Sequence, residues 1–115
     1  MNPEQHYEQA EAAFRAGKAA EGAEHLRQAA FAGHAEAQNQ LARVYFAQLR
    51  QSADMAALEA AAQQGDHVAL FVLAMCFIEG RLTEKDTEKA LSALQHAARQ
   101  GNIMAARMLA GNVPE

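Results

Sequence analysis

AAFAG at 29–33, AAQQG at 61–65 and AARQG at 97–101 are three copies of one pattern: two alanines, two variable residues and a glycine. The glycines are 32 and 36 residues apart. A period in that range marks a helical repeat, in which each copy is a helix pair that buries its apolar face against its neighbours. Aligning on Gly33, Gly65 and Gly101 places Leu26, Leu58 and Leu94 seven residues ahead, on the same helical face as the alanine pairs. Behind the glycines, Ala37, Ala69 and Ala105 stand at plus four, Leu41, Leu73 and Leu109 at plus eight, and Tyr45 and Phe77 at plus twelve. Each glycine therefore closes a leading helix and opens a trailing one, with Asp66 and Asn102 as N-caps.

Composition supports an all-α chain. Half of the 115 residues are hydrophobic and 29 residues are alanine, the strongest helix former, while the two prolines, Pro3 and Pro114, stand at the ends where they interrupt nothing. The spacing predicts about seven helices, near 4–16, 19–32, 35–48, 53–64, 67–79, 86–100 and 102–110. Tyr7, Ala10 and Phe14 share one face of the first, which reads as a lone lead helix before Gly17. A single domain follows, with a lead helix at 4–18, repeats at 19–50 and 51–82, an abbreviated third repeat at 83–111 and a tail at 112–115. The linker around QLRQSAD is four residues shorter than EGRLTEKDTEKA, which puts the angle between the first two repeats in doubt.

GAEHLRQAAFAGHAEAQNQLARVYF and TEKALSALQHAARQGNIMAARMLAG resemble the Sel-1-like repeat family, relatives of the tetratricopeptide repeat. Ala42, Ala74 and Ala110 stand where the family pattern has a glycine after the leucine, and Gln48 stands where a glycine closes the trailing helix. The resemblance spans roughly residues 19–110. It implies a right-handed α-solenoid of antiparallel helix pairs whose leading helices line a concave face, and a scaffold or adaptor role. Candidate groove residues on that face are Glu24, Arg27, Gln28, Gln63, Gln95 and Arg99, which would receive a protein or peptide.

Charge and chemistry narrow the function. The formal charge is −4 and no Lys/Arg block occurs, against a nucleic-acid or anionic-membrane partner. The polar start MNPEQHYEQ lacks the apolar run of a signal peptide, and the single cysteine agrees with a reducing compartment, so a cytoplasmic protein is expected. Cys76 sits inside VALFVLAMCFI and reads as a buried structural thiol. No two of the five histidines lie three or four apart, no glycine-rich phosphate loop occurs, and neither Ser52 nor Ser92 has a His or acid at catalytic spacing. The expectation is a non-enzyme with no cofactor and no metal. A protein-binding adaptor or regulator fits best; a bacterial immunity protein that occludes a toxin is the alternative, and an enzyme or metalloprotein is a more distant one.

One anomaly points to a place. Gln38, Asn39 and Gln40 of the first trailing helix become Leu70, Phe71 and Val72 in the second. Phe71, Met75, Ile78 and Leu82 then form a second apolar stripe beside the core stripe. Either the helix at 86–100 and its loop cover it within the monomer, or a partner or second copy does. Ile103, Met104 and Met108, at the end of the last repeat, form a smaller uncapped edge that another copy or the GNVPE tail would cover.

Overall fold

The computed structural model describes residues 1–111, so the expected sealing of the last repeat by the tail falls outside them. The described chain is all-helical: α1 Pro3–Arg15, α2 Ala19–Phe31, α3 Ala35–Ser52, α4 Ala56–Gln63, α5 His67–Glu79, α6 Thr87–Arg99 and α7 Ile103–Leu109. Four of the connections are the same turn. The amides of Lys18, His34, Asp66 and Asn102 donate to the carbonyls of Ala13, Ala29, Ala61 and Ala97 at 2.8–3.1 Å, each across a glycine of positive φ. This is the Schellman closure, and the residue after each glycine is also the N-cap of the next helix. His34 Nδ1 accepts from the Ala37 amide, Asp66 from Val68 and Ala69, and Asn102 from Ala105. The expected lead helix is thus closed by the same device, with Gly17 as its fourth member.

Helix α5 forms the centre. From His67 to Cys76 only Leu70 and Met75 are more than marginally exposed. Helix α6 lies along it, α4 and α3 pack against it and α2 touches it. Much of the packing surface is alanine, so helices approach closely. At the α1–α2 contact a Cβ on Gly22 would come within 2.7 Å of the Phe14 ring, so any larger residue would require that half-exposed ring to shift.

Among the described residues, the polar clasp that spans the most sequence is made by Gln38. Its side chain is fully buried, with Nε2 donating to the carbonyls of Ala30 and Gly101 at 3.0 Å and Oε1 accepting from the Ile103 amide at 2.8 Å. Ile103 opens α7, and its amide has no partner within the helix. A polar residue of the first trailing helix, at a position that is Leu70 in the second, thus joins the first and third copies. The radius of gyration of 14.1 Å is close to the roughly 13 Å of a globular chain of this length, so the copies close on one another rather than fan out.

The second repeat departs from the expected boundaries. α3 ends at Ser52 rather than near 48, and α4 starts at Ala56 rather than 53. With Gln48 in place of a stop glycine, nothing ends α3 until Ala53 takes the left-handed conformation at φ 53°. The five residues by which α3 exceeds α5 are matched by five that α4 lacks relative to α2 and α6.

Replacing Gln38 takes the side-chain partner from the Gly101 carbonyl and the Ile103 amide, while the Ala30 carbonyl keeps the Gly33 amide at 3.1 Å. Gln38→Ala and Gln38→Leu are each expected to lower unfolding stability by about 2–4 kcal/mol, the leucine giving little relief because hydrogen bonds rather than volume are lost. Urea denaturation followed by circular dichroism measures this, and a neutral Gln38→Leu would refute the clasp.

Candidate interaction cleft

The shortened α4 leaves an open joint. In the α5–α6 joint the first turn of the following helix lies on the preceding one, whereas α3 and α4 face each other across a cleft. It has two lobes that share Tyr45, Gln48 and Ala57. The first, of about 260 Å³, is completed by Leu49, Gln51, Ser52, Asp54 and Leu58 and is mainly apolar. The second, of about 400 Å³, runs toward α2 and adds Arg27, Phe31, Ala61, Gln64 and Asp66.

The polar centre of the cleft is built before any ligand arrives. Asp66 caps α5 through Oδ1, which accepts the Val68 and Ala69 amides at 3.0 Å, and its Oδ2 accepts a hydrogen bond from the Tyr45 hydroxyl. Both residues are buried. Burial, reinforced by the adjacent carboxylate, pushes the Tyr45 phenol far above its ordinary value, with Arg27 opposing. Tyr45 therefore stays protonated as a donor. Asp54 caps the Ala56 amide at 2.9 Å, and the Arg27 guanidinium is 3.6 Å from Glu24. Phe31 lies at the α2 edge, 40% exposed, with its ring 5.6 Å from that of buried His67. Such a site offers an apolar floor, an aromatic face and carboxylates; it presents no activated nucleophile.

Of the residues expected in a groove, Arg27 lines this cleft, and Glu24 and Gln28 sit beside it, the Gln28 amide donating to Glu24 at 3.0 Å. Gln63, on α4, and Gln95 and Arg99, on α6, are exposed, and among the described residues no hydrogen bond or ion pair joins them to the α2 trio. The second apolar stripe is largely taken up within the monomer. Phe71 is 7% exposed and belongs to the core, Met75 and Ile78 are half-buried against it, and only Leu82, at positive φ, is open. Phe71 is therefore corrected from a partner-facing residue to a core residue, because its ring is buried among the other core side chains within the monomer. A homodimer through this stripe would lack its largest anchor.

Ile103, Met104 and Met108 are half-buried. Cys76 is fully buried, and burial pushes its thiol up. His6 and His25, 19 residues apart, meet across α1 and α2 with Nδ1 atoms 3.0 Å apart. Among the described residues no three His, Cys, Asp or Glu side chains converge as a metal site. No helix among them is long and apolar enough to cross a membrane.

The cleft residues Phe31, Tyr45, Gln48, Ala57 and Asp66 were not legible as a site. Their only signal was the four-residue deficit and the missing glycine at Gln48. Comparison of the chain with protein-family models, with curated proteins and with solved structures finds no match.

Two outcomes follow from this geometry. A phenol whose folded value is raised contributes stability that is complete below its unfolded value of about 10 and is lost as pH rises beyond it. Wild-type stability should accordingly fall above about pH 10, and Tyr45→Phe should flatten that fall while costing about 1–3 kcal/mol at neutral pH through the unpaired Asp66 oxygen. Denaturation midpoints from pH 7 to 11 test the pair. Phe71→Ala is expected to cost about 3–5 kcal/mol without changing the molecular mass in solution, and a stable variant with altered mass would return Phe71 to an interface.

Proposed function

We propose that the chain is a non-catalytic protein-interaction module, an adaptor or regulator of the Sel-1-like, tetratricopeptide-like kind, which receives a partner in the cleft between α3 and α4. The observation that carries this reading is the incomplete joint. Where the first turn of α6 closes the joint on α5, the joint between α3 and α4 keeps Tyr45, Leu49, Leu58 and Phe31 at the wall of an open cleft. Pockets of this size, mostly apolar with a few fixed polar groups, are the usual form of a binding site. Glu24, Arg27 and Gln28 form its charged rim on the α2 side.

The description as a short right-handed solenoid is part of the same proposal. Three registered copies and four identical turns support it, and the Gln38 clasp makes the array a closed one. The net charge of −4 favours a partner with basic groups.

The test is affinity capture with the wild-type chain and with Ala57→Phe, which places a ring between the two lobes at an exposed helix position. Matching helicity and melting establish that the variant is folded. A partner retained by the wild type and lost by Ala57→Phe is the expected result. The same proteins on both baits would remove the cleft from the function.

A further inference from the structure

Asn102 and His67 form a clasp that only one protonation state of the imidazole allows. The Asn102 side chain is fully buried and opens α7: its Oδ1 accepts from the Ala105 amide at 2.9 Å, and its Nδ2 donates to the His67 carbonyl at 3.3 Å. These two bonds fix which end of the amide is oxygen, since turning it over would set N–H against N–H and oxygen against oxygen. The same Nδ2 group stands 3.2 Å from His67 Nδ1. A donor faces that nitrogen, so Nδ1 is the bare acceptor and the ring proton sits on Nε2. His67 is 3% exposed, and its Nε2 has no hydrogen-bond partner.

A second proton would enter at Nδ1, where it meets the Asn102 N–H. Phe31 of α2 presents its ring at 5.6 Å, and its carbonyl favours the charge without meeting hydrogen-bond geometry. Asp66, the N-cap of α5, is the carboxylate that favours the charge. Its oxygens are already engaged by the Val68 and Ala69 amides and by Tyr45 of α3, on which Arg27 of α2 also acts. Gln38 of α3 carries no charge, and His96 of α6 is exposed and bonded to Gln100. Burial outweighs the opposing groups and lowers the affinity of His67 for a proton.

Helix α7 has little else to hold it. It is seven residues long, too short to persist undocked, and it packs mainly on α6. Two polar clasps tie its start to the body: Gln38 on Gly101 and Ile103, and Asn102 on His67. We propose that His67 is a proton-operated latch on α7: charging its ring breaks the Asn102 clasp, and the last helix undocks while α5 and the helices around it stay in place. A histidine whose folded proton affinity is lowered contributes stability that is complete above its unfolded value of about 6.5 and is lost as pH falls below it. The loss falls first on α7, whose opening exposes least.

The test is hydrogen exchange of the intact chain by NMR at pH 7.5 and pH 5, with rates converted to protection factors. The Ala105 and Ala106 amides, which bond Asn102, are expected to be less protected than those of Val72 and Leu73 in α5 and to depend less on urea. At the lower pH they are expected to lose about tenfold to thirtyfold, the upper figure being the limit for a group with an unfolded value of about 6.5. Two variants separate the latch from general acid sensitivity. His67→Asn keeps an acceptor at the place of Nδ1 that takes up no proton, and is expected to remove the pH response of α7. Asn102→Asp keeps the cap and offers a carboxylate to a charged His67, and is expected to raise α7 protection as pH falls. If His67→Asn does not fold, the ring nitrogen shifts of the wild type take its place: a proton on Nε2 alone at pH 7.5, and on both nitrogens over the range in which α7 opens. Unchanged α7 protection at pH 5, a loss that persists in His67→Asn, or a folded Asn102→Asp that responds as the wild type overturns the proposal. So does equal protection and urea dependence of α5 and α7, or an Nδ1–H ring at pH 7.5.

Discussion

Helix α5 has no polar face, and water has to be kept from nearly all of it. Val68, Ala69, Val72, Ala74 and Cys76 are wholly buried, with Phe71 and Leu73 close behind, so apolar groups point in every direction around the helix axis. A helix of this composition is stable only when surrounded. Helices α3, α4 and α6 take up positions around it, and α6 makes the most extensive contact. The remaining helices use alanine, and once glycine, to come close enough that a thin core suffices.

Surrounding one helix with others brings their ends together, and helix ends carry unpaired amides and carbonyls. The repeated turn deals with most of them locally, since one residue finishes a helix with its amide and starts the next with its side chain or carbonyl. What the turns leave is met by long side chains. Gln38 serves backbone groups of the turns at Gly33 and Gly101, and the Asn102 side-chain amide donates to the His67 carbonyl at 3.3 Å. Burial lowers the affinity of His67 for a proton, with the Asp66 carboxylate opposing. The buried polar groups thus hold the copies in a closed arrangement rather than an extendable one.

The cleft has the same origin as the irregularity in the repeat. The link between the first and second helix pairs is four residues shorter than that between the second and third, and no glycine stops α3. The chain responds by lengthening α3 and delaying α4, which keeps Leu58 on the core and leaves the upper part of the joint uncovered. Tyr45 and Asp66 would be a costly pair to leave beside an open cleft, yet each satisfies the other, so the polar part of the wall is rigid. The docking role we propose for this place follows from a defect in periodicity that the rest of the fold does not repair.

The sequence by itself determined the helices, their order and their closing turns, because these depend on contacts within three to five residues: alanine stripes, glycines able to take positive φ, and Asp or Asn caps. It also determined that Cys76 is buried, since its neighbours are apolar on both sides. Even Gly17, whose Ala13 four residues earlier repeats the pattern, was readable in hindsight. Tertiary structure alone decided three things. The burial of Gln38 is decided by its partners Gly101 and Ile103, more than sixty residues away. Phe71 reads as a surface anchor because periodicity shows that a helix is apolar all round but not what covers it. The cleft is invisible because a four-residue deficit fixes how much chain is missing, while the distance between α3 and α4 depends on how both pack against α5.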